Sequence, residues 1–150
     1  MILWRLAKAG QRALDGAGAR RFGGRYCSPG QPIVHFASEA GLAVLVQMRY
    51  LVGPPDACEE PFELGWTQSD AVPERVPDGL DRAETTAWVD AWARSGRSLL
   101  VAVRSAVLPE ADVVLMNAGH PAAAVVPPLT VRPFRFDQCL HRPPMLEQYS

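Results

Sequence analysis

Residues 98–117, SLLVAVRSAVLPEADVVLMN, hold two apolar runs with no helical stretch between them. Ser98–Val103 reads as a central strand, because it is continuous in Leu, Val and Ala. Asp112–Asn117, DVVLMN, is a second strand candidate, and the Pro109 region between them carries turn chemistry. Working outward, residues 2–6 (ILWRL) predict a short first strand. Pro32–Phe36 (PIVHF) predicts a buried one, residues 62–66 (FELGW) one more, and residues 129–136 (LTVRPFRF) the last. Two helices stand among them. One opens at Ser38, whose hydroxyl can cap it, with Leu42, Leu45, Met48 and Leu51 at helical spacing. The other spans Ala83–Arg94, with Trp88 and Trp92 four apart and Ser95-Gly96 closing it. Residues 10–24 show no clear period, and residues 53–80 read as a proline-rich, loop-rich middle. Strands with a few helices, without strict β-α-β alternation, predict an α+β fold with a mixed or mostly antiparallel sheet. A chain of 150 residues without an evident linker or repeat predicts a single domain over 1–150.

Composition narrows the function classes. The net charge is −1, and no basic stripe stands out, which argues against direct nucleic-acid binding. No apolar run is long enough to span a membrane, and the first residues lack the pattern of a signal peptide. Cys27, Cys58 and Cys139 are three widely spaced cysteines without a CxxC pair, so neither a disulfide framework nor a metal site is expected, and a reducing cytoplasm fits. Among the basic residues Lys8 is the one lysine; arginine suits fork-like recognition of phosphate or carboxylate.

The candidate site residues each carry two readings. Residues 23–30, GGRYCSPG, set Arg25 and Tyr26 among glycines. The pair is either ordinary turn surface or a cation and an aromatic face offered to a ligand. His35 is a core histidine or a ring beside a ligand. Glu39 is a favourable carboxylate in the first turn of a helix or a functional one; Gln47 is exposed or functional. Ser105 and Asn117, the latter followed by Gly119-His120-Pro121, are turn residues or pocket-lining ones. Trp88 and Trp92 read as core or interface.

In order, the segments ILWR, GGRYCSPG, PIVHFASE, AWARSGRSLLVAVRSAVLPE, LMNAGHP and PFRFD resemble a RES domain, a family of bacterial toxins usually encoded beside a helix-turn-helix-type antitoxin. The resemblance implies an ADP-ribosyltransferase-like core with a split sheet and a dinucleotide cleft. It also implies a cytoplasmic enzyme that uses NAD⁺ as substrate. The nicotinamide–ribose bond is cleaved, with ADP-ribose released by hydrolysis or phosphorolysis (a glycohydrolase or phosphorylase) or passed to a host protein acceptor (an ADP-ribosyltransferase). Carried over by residue, Arg25 would hold the diphosphate or ribose side, and Tyr26 would pack on the nicotinamide or its ribose. Ser28 belongs to the same loop, and His35, Ser105 and Asn117 would complete the binding residues. This chain departs from the family twice. His35, or Phe36, stands where a tyrosine commonly ends the strand. Val46 or Gln47 stands where the family has a helix glutamate. Breaking the glycosidic bond builds positive charge on the ribose, which a carboxylate stabilises better than an amide. Glu39 is then a substitute, alongside a retuned site at Gln47. The alternative is a weakened or inactive NAD-cleft module that mainly engages its antitoxin.

Overall fold

The computed structural model describes residues 1–140; the remainder of the expected 1–150 domain, residues 141–150, lies outside the described residues. Its strands are β1 (Ile2–Lys8), β2 (Ile33–Ala37), β3 (Phe62–Gln68), β4 (Glu74–Arg75), β5 (Leu100–Arg104), β6 (Asp112–Asn117) and β7 (Thr130–Phe134). They form a seven-stranded mixed sheet in the order β4-β5-β6-β2-β1-β3-β7. Each pairing is antiparallel except β4 with β5. Three helices, α1 (Ala17–Phe22), α2 (Ala40–Met48) and α3 (Arg82–Ser95), join them. The α+β class expected from the sequence is the class observed.

Residues 98–117 fold as the β5–β6 hairpin, with Leu100 opposite Met116 and Arg104 opposite Asp112. The turn closes through Ser105 N–H to the Ala111 carbonyl at 3.1 Å. β5 is not central: only the two residues of β4 lie outside it. Its continuous apolar run reports two covered faces rather than a middle position. On one face Ile33, Ala37, Val101, Val103, Val113 and Leu115 pack with Ala19, Leu42, Ala43, Val89 and Trp92 of the helices. On the other, Leu3, Val34, Phe36, Leu100, Val114 and Met116 lie under Ala122, Ala123, Val126 and Leu129.

The join that matters for the site is between β1 and β2. β1 pairs with β3 along its whole length, and β2 pairs with β6 along its whole length. Between β1 and β2 the register reduces to one pair, Trp4 opposite Ala37. The sheet therefore opens there, and the gap is where a cavity forms.

Local differences from expectation have simple causes. The stretch without a period contains α1, which is six residues long and buries only Ala19, so no apolar stripe is needed. Ser38 does not cap α2: Glu39 holds the N-cap position without a side-chain bond, and Ser38 Oγ accepts from Asp112 N–H at 3.0 Å. Leu45 is 38% exposed and Leu51 lies past the helix end, so only part of the expected stripe is core. Around α3 the expectation holds. Asp81 and Glu84 form a capping box, and Gly96 closes the helix at φ 61°. Trp92 is fully buried, and its Nε1–H donates to Ser98 Oγ at 2.8 Å. Pro133 sits on β7, an edge strand, where its missing N–H costs no ladder bond.

Candidate functional site

The loop after α1 is built from glycine chemistry. Gly23 ends α1 at φ 74°, donating its N–H to the Ala19 carbonyl at 2.8 Å. Gly24 N–H donates to the Cys27 carbonyl at 2.9 Å, closing a turn that carries Arg25 and Tyr26. A methyl group on Gly24 would stand 2.7 Å from His35 Cε1 and 2.8 Å from its Nε2. The close backbone approach that the sequence suggested is thus made to His35.

A cavity of about 370 Å³ opens between β1 and β2, under this loop. That size is within the range of small-molecule sites. Arg25, Tyr26, His35, Gln47 and Ser105 all line it, as does Val46. Five candidates scattered over eighty residues of chain thus meet around one cavity. Ser28, Glu39 and Asn117 are not among the lining residues. Ser28 N–H is bound to Asp90 Oδ1 at 2.9 Å, on the α3 side of the loop. Glu39 is exposed at the start of α2. Asn117 is buried, and its amide serves the fold: Nδ2–H donates to the Ala93 carbonyl at 3.0 Å, and Oδ1 accepts from Gly119 N–H at 3.0 Å. His120 Nδ1 accepts from Ala122 N–H, which fits its turn reading.

The cavity lining is rich in cations, Arg5, Lys8, Arg25 and Arg49, of which Lys8 is paired with Glu60 at 3.0 Å. Among the described residues, neither Arg5 nor Arg25 takes part in a salt bridge. Arg25 lies 5.7 Å over the Tyr26 ring. Arg5 Nη1–H donates to the Ala13 carbonyl at 3.2 Å. Burial lowers the Arg5 pKa, and the charge of Asp15 opposes that shift. Asp15 is the one acidic side chain on the cavity among the described residues; its Oδ1 accepts from Ala17 N–H at 3.1 Å. Sequence reading missed both Arg5 and Asp15. Arg5 left a trace, a charge inside an apolar strand. Asp15-Gly16 reads only as turn chemistry.

His35 Nε2 is buried and has no hydrogen-bond partner among the described residues. Burial, and then the Arg5 charge, push its pKa down to about 4, so the ring is neutral at pH 7. In the unfolded chain a histidine protonates near its ordinary value of about 6.5. The depressed folded value makes stability complete above pH 6.5, and stability falls as pH drops from there toward 4. The expected loss from this residue approaches about 3 kcal/mol at the acid end. Urea unfolding of wild type and His35→Gln at pH 7.5 and pH 5 measures it. The wild type should weaken more on acidification than the variant; equal slopes would count against the burial of a neutral ring. Ser105 Oγ, also buried, accepts from Val107 and Leu108 N–H at 3.2 Å each. No donation from that hydroxyl is seen among the described residues.

Comparison with known proteins adds lineage to this geometry. A family model described as RES domain matches residues 2–137. The Prs ADP-ribosylating toxin of Sphingobium sp. is 34% identical over 140 residues, covering 83% of this chain and 84% of that protein. Toxin Res of Pseudomonas putida is 26% identical over 137 residues, covering 82% and 88%. Among solved structures, a chain of the M. tuberculosis MbcT–MbcA toxin–antitoxin complex shares the fold. Its TM-score is 0.72 at 20% identity, covering 93% of this chain and 87% of that one.

Proposed function

The chain belongs to the RES domain family, and we propose that it is an NAD⁺-consuming toxin that transfers ADP-ribose to a host protein and is restrained by a cognate antitoxin. The observation that carries this reading is the meeting of Arg5, Arg25, Tyr26, His35, Gln47 and Ser105 on one cavity. Arginines without a salt bridge among the described residues fit a diphosphate, and a neutral imidazole nitrogen without a partner among them fits a polar group of a flat ring or its sugar. The name of the Sphingobium relative supports transfer to a protein over release of free ADP-ribose.

In this reading Arg25 and Arg5 bind the diphosphate, Tyr26 stacks on the nicotinamide end, and Ser105 donates a hydrogen bond to the ribose. The C1′–nitrogen bond breaks with its electron pair leaving on nicotinamide. The acceptor's nucleophile attacks C1′ and gives up its proton to solvent. Positive charge on the ribose needs a carboxylate. Asp15 takes that role, because Glu39 stands off the cavity and Gln47, which does line it, is neutral. Ser28 and Asn117 shape the site through the backbone bonds described above and make no contact with substrate. The antitoxin, of helix-turn-helix type, covers the cavity on the side of the lining residues Tyr50 and Val107, which are 60% and 43% exposed.

The test uses NAD⁺ labelled in its adenylate phosphate, the purified chain and bacterial extract. Label on a protein band is expected, and Prs is the first acceptor to try. Labelled free ADP-ribose without a labelled band would replace transfer by hydrolysis, and intact NAD⁺ at every protein concentration would end the enzymatic reading. In the same assay Asp15→Asn should cut turnover about 100-fold, while Glu39→Ala should leave it within about twofold. The reverse pattern would return the carboxylate role to Glu39.

A further inference from the structure

Asp90 is a buried carboxylate on α3, 7% exposed, that the chemistry above leaves unused. Among the described residues no cation pairs with it. A buried acid without a counter-ion is costly unless its hydrogen bonds repay the lost hydration. Its Oδ1 accepts from Ser28 N–H at 2.9 Å. That bond sits two residues beyond Tyr26.

The other ties of the loop lead elsewhere. Gly23 N–H reaches the Ala19 carbonyl, and Gly30 N–H reaches the Arg20 carbonyl at 2.7 Å, so both ends return to α1. Gly24 to Cys27 closes the loop on itself. Among the described residues, Ser28 to Asp90 is the one hydrogen bond from this loop to α3. α3 is in turn fixed to the sheet by the buried Trp92 and by the Asn117 bond to the Ala93 carbonyl. α1, by contrast, is one and a half turns long and buries little.

We propose that Asp90 is a positioning residue that fixes the Arg25–Tyr26 loop to α3 through the Ser28 N–H, and so sets where those two side chains stand in the cavity. The kinetic part of this inference rests on the NAD⁺ reading above; the structural part does not. A carboxylate is a stronger acceptor for a lone N–H than a neutral oxygen, and placement errors near 1 Å at a reacting centre cost up to about 100-fold.

Cys27, buried in the loop beside this bond, reports on it independently of NAD⁺. Its thiol is pushed up to about 11 by burial first and by the Asp90 charge second. Alkylation by iodoacetamide is followed in a background with Cys58→Ser and Cys139→Ser. Asp90→Ala should raise the Cys27 rate by about tenfold or more, as local opening exposes the thiol. Asp90→Asn loses the charge but keeps an acceptor oxygen, and should stay within about threefold of the background protein. Equal rates in Asp90→Ala and the background protein, or equal acceleration by Ala and Asn, would overturn the tether. Asp90→Val, close in volume, serves if the alanine variant does not fold. On the kinetic side Asp90→Ala should raise KM for NAD⁺ about tenfold, with rescue by Asn. Ser98→Ala, which weakens the same helix through Trp92, should lower Tm without moving KM. A KM shift shared by both variants would reduce Asp90 to a stability role. Cys27 exposure in Asp90→Ala with no NAD⁺ turnover even in wild type would uphold the tether and remove the proposed activity.

Discussion

Arg25→Ala is expected to lower NAD⁺ turnover by about 100- to 1,000-fold and to abolish growth arrest on expression, with the fold intact. The argument is one of separable roles. Arg25 is partly buried on the cavity, has no carboxylate partner among the described residues, and touches Tyr26 only as a cation over a ring at 5.7 Å. Such a contact contributes about 0.5–1 kcal/mol, so its loss leaves the protein stable. A substrate diphosphate would lose a bidentate, charge-assisted pair, which is worth far more in a sheltered site. Arg25→Lys should recover only part of the loss, because an ammonium cannot fork. Turnover, growth after induction and Tm are read on the same preparation. Retained turnover in a folded Arg25→Ala protein would remove this residue from the site.

Gly16→Ala should be the most damaging small substitution in the chain for stability, by about 3 kcal/mol or more. Gly16 stands at φ 67°, and a Cβ there would lie 2.3 Å from the Pro32 carbonyl carbon and 2.7 Å from Ile33 N. Both obstacles are backbone at the start of β2, so nothing can rotate aside. Moving them shifts α1 away from β2 and widens the cavity wall that includes Gly16 itself. Gly18→Ala is the control. It lies inside α1 with open space around its Cα and should be neutral or stabilising by about 0.5–1 kcal/mol. Chemical denaturation of the two variants separates conformational strain from helix propensity. Similar stability in both would mean that α1 is not seated on Pro32 as described.

Much of the fold could be read from local chemistry. PIVHF, SLLVAV and DVVLMN became β2, β5 and β6, because continuous apolar β-branched runs have few alternatives to burial in a sheet. α3 announced itself by Trp88 and Trp92 four apart and by the Ser95-Gly96 stop, whereas its Asp81–Glu84 capping box was recognised only in the structure. α1 was hidden, since a six-residue helix that buries one alanine leaves no periodic pattern. The order of β5 in the sheet was also hidden, since a strand's composition records how its faces are covered and not which strand lies beside it.

The same division runs through the site. The order of motifs identified the family, and glycine-flanked Arg25 and Tyr26 stood out, because unusual backbone freedom is written in residue type. Which side chains share a cavity is a different kind of fact. It depends on the single-pair join of Trp4 with Ala37, which separates β1 from β2 and opens the cavity that Arg5, His35, Gln47 and Ser105 line. The same packing leaves Glu39 at an exposed helix start, puts Asp15 on the cavity, and turns Asn117 inward to the Ala93 carbonyl. Local propensities act over a few residues and can be read in order along the chain. Strand pairing and helix docking act between residues distant in sequence, so the neighbours of Arg25 exist only once the sheet has formed.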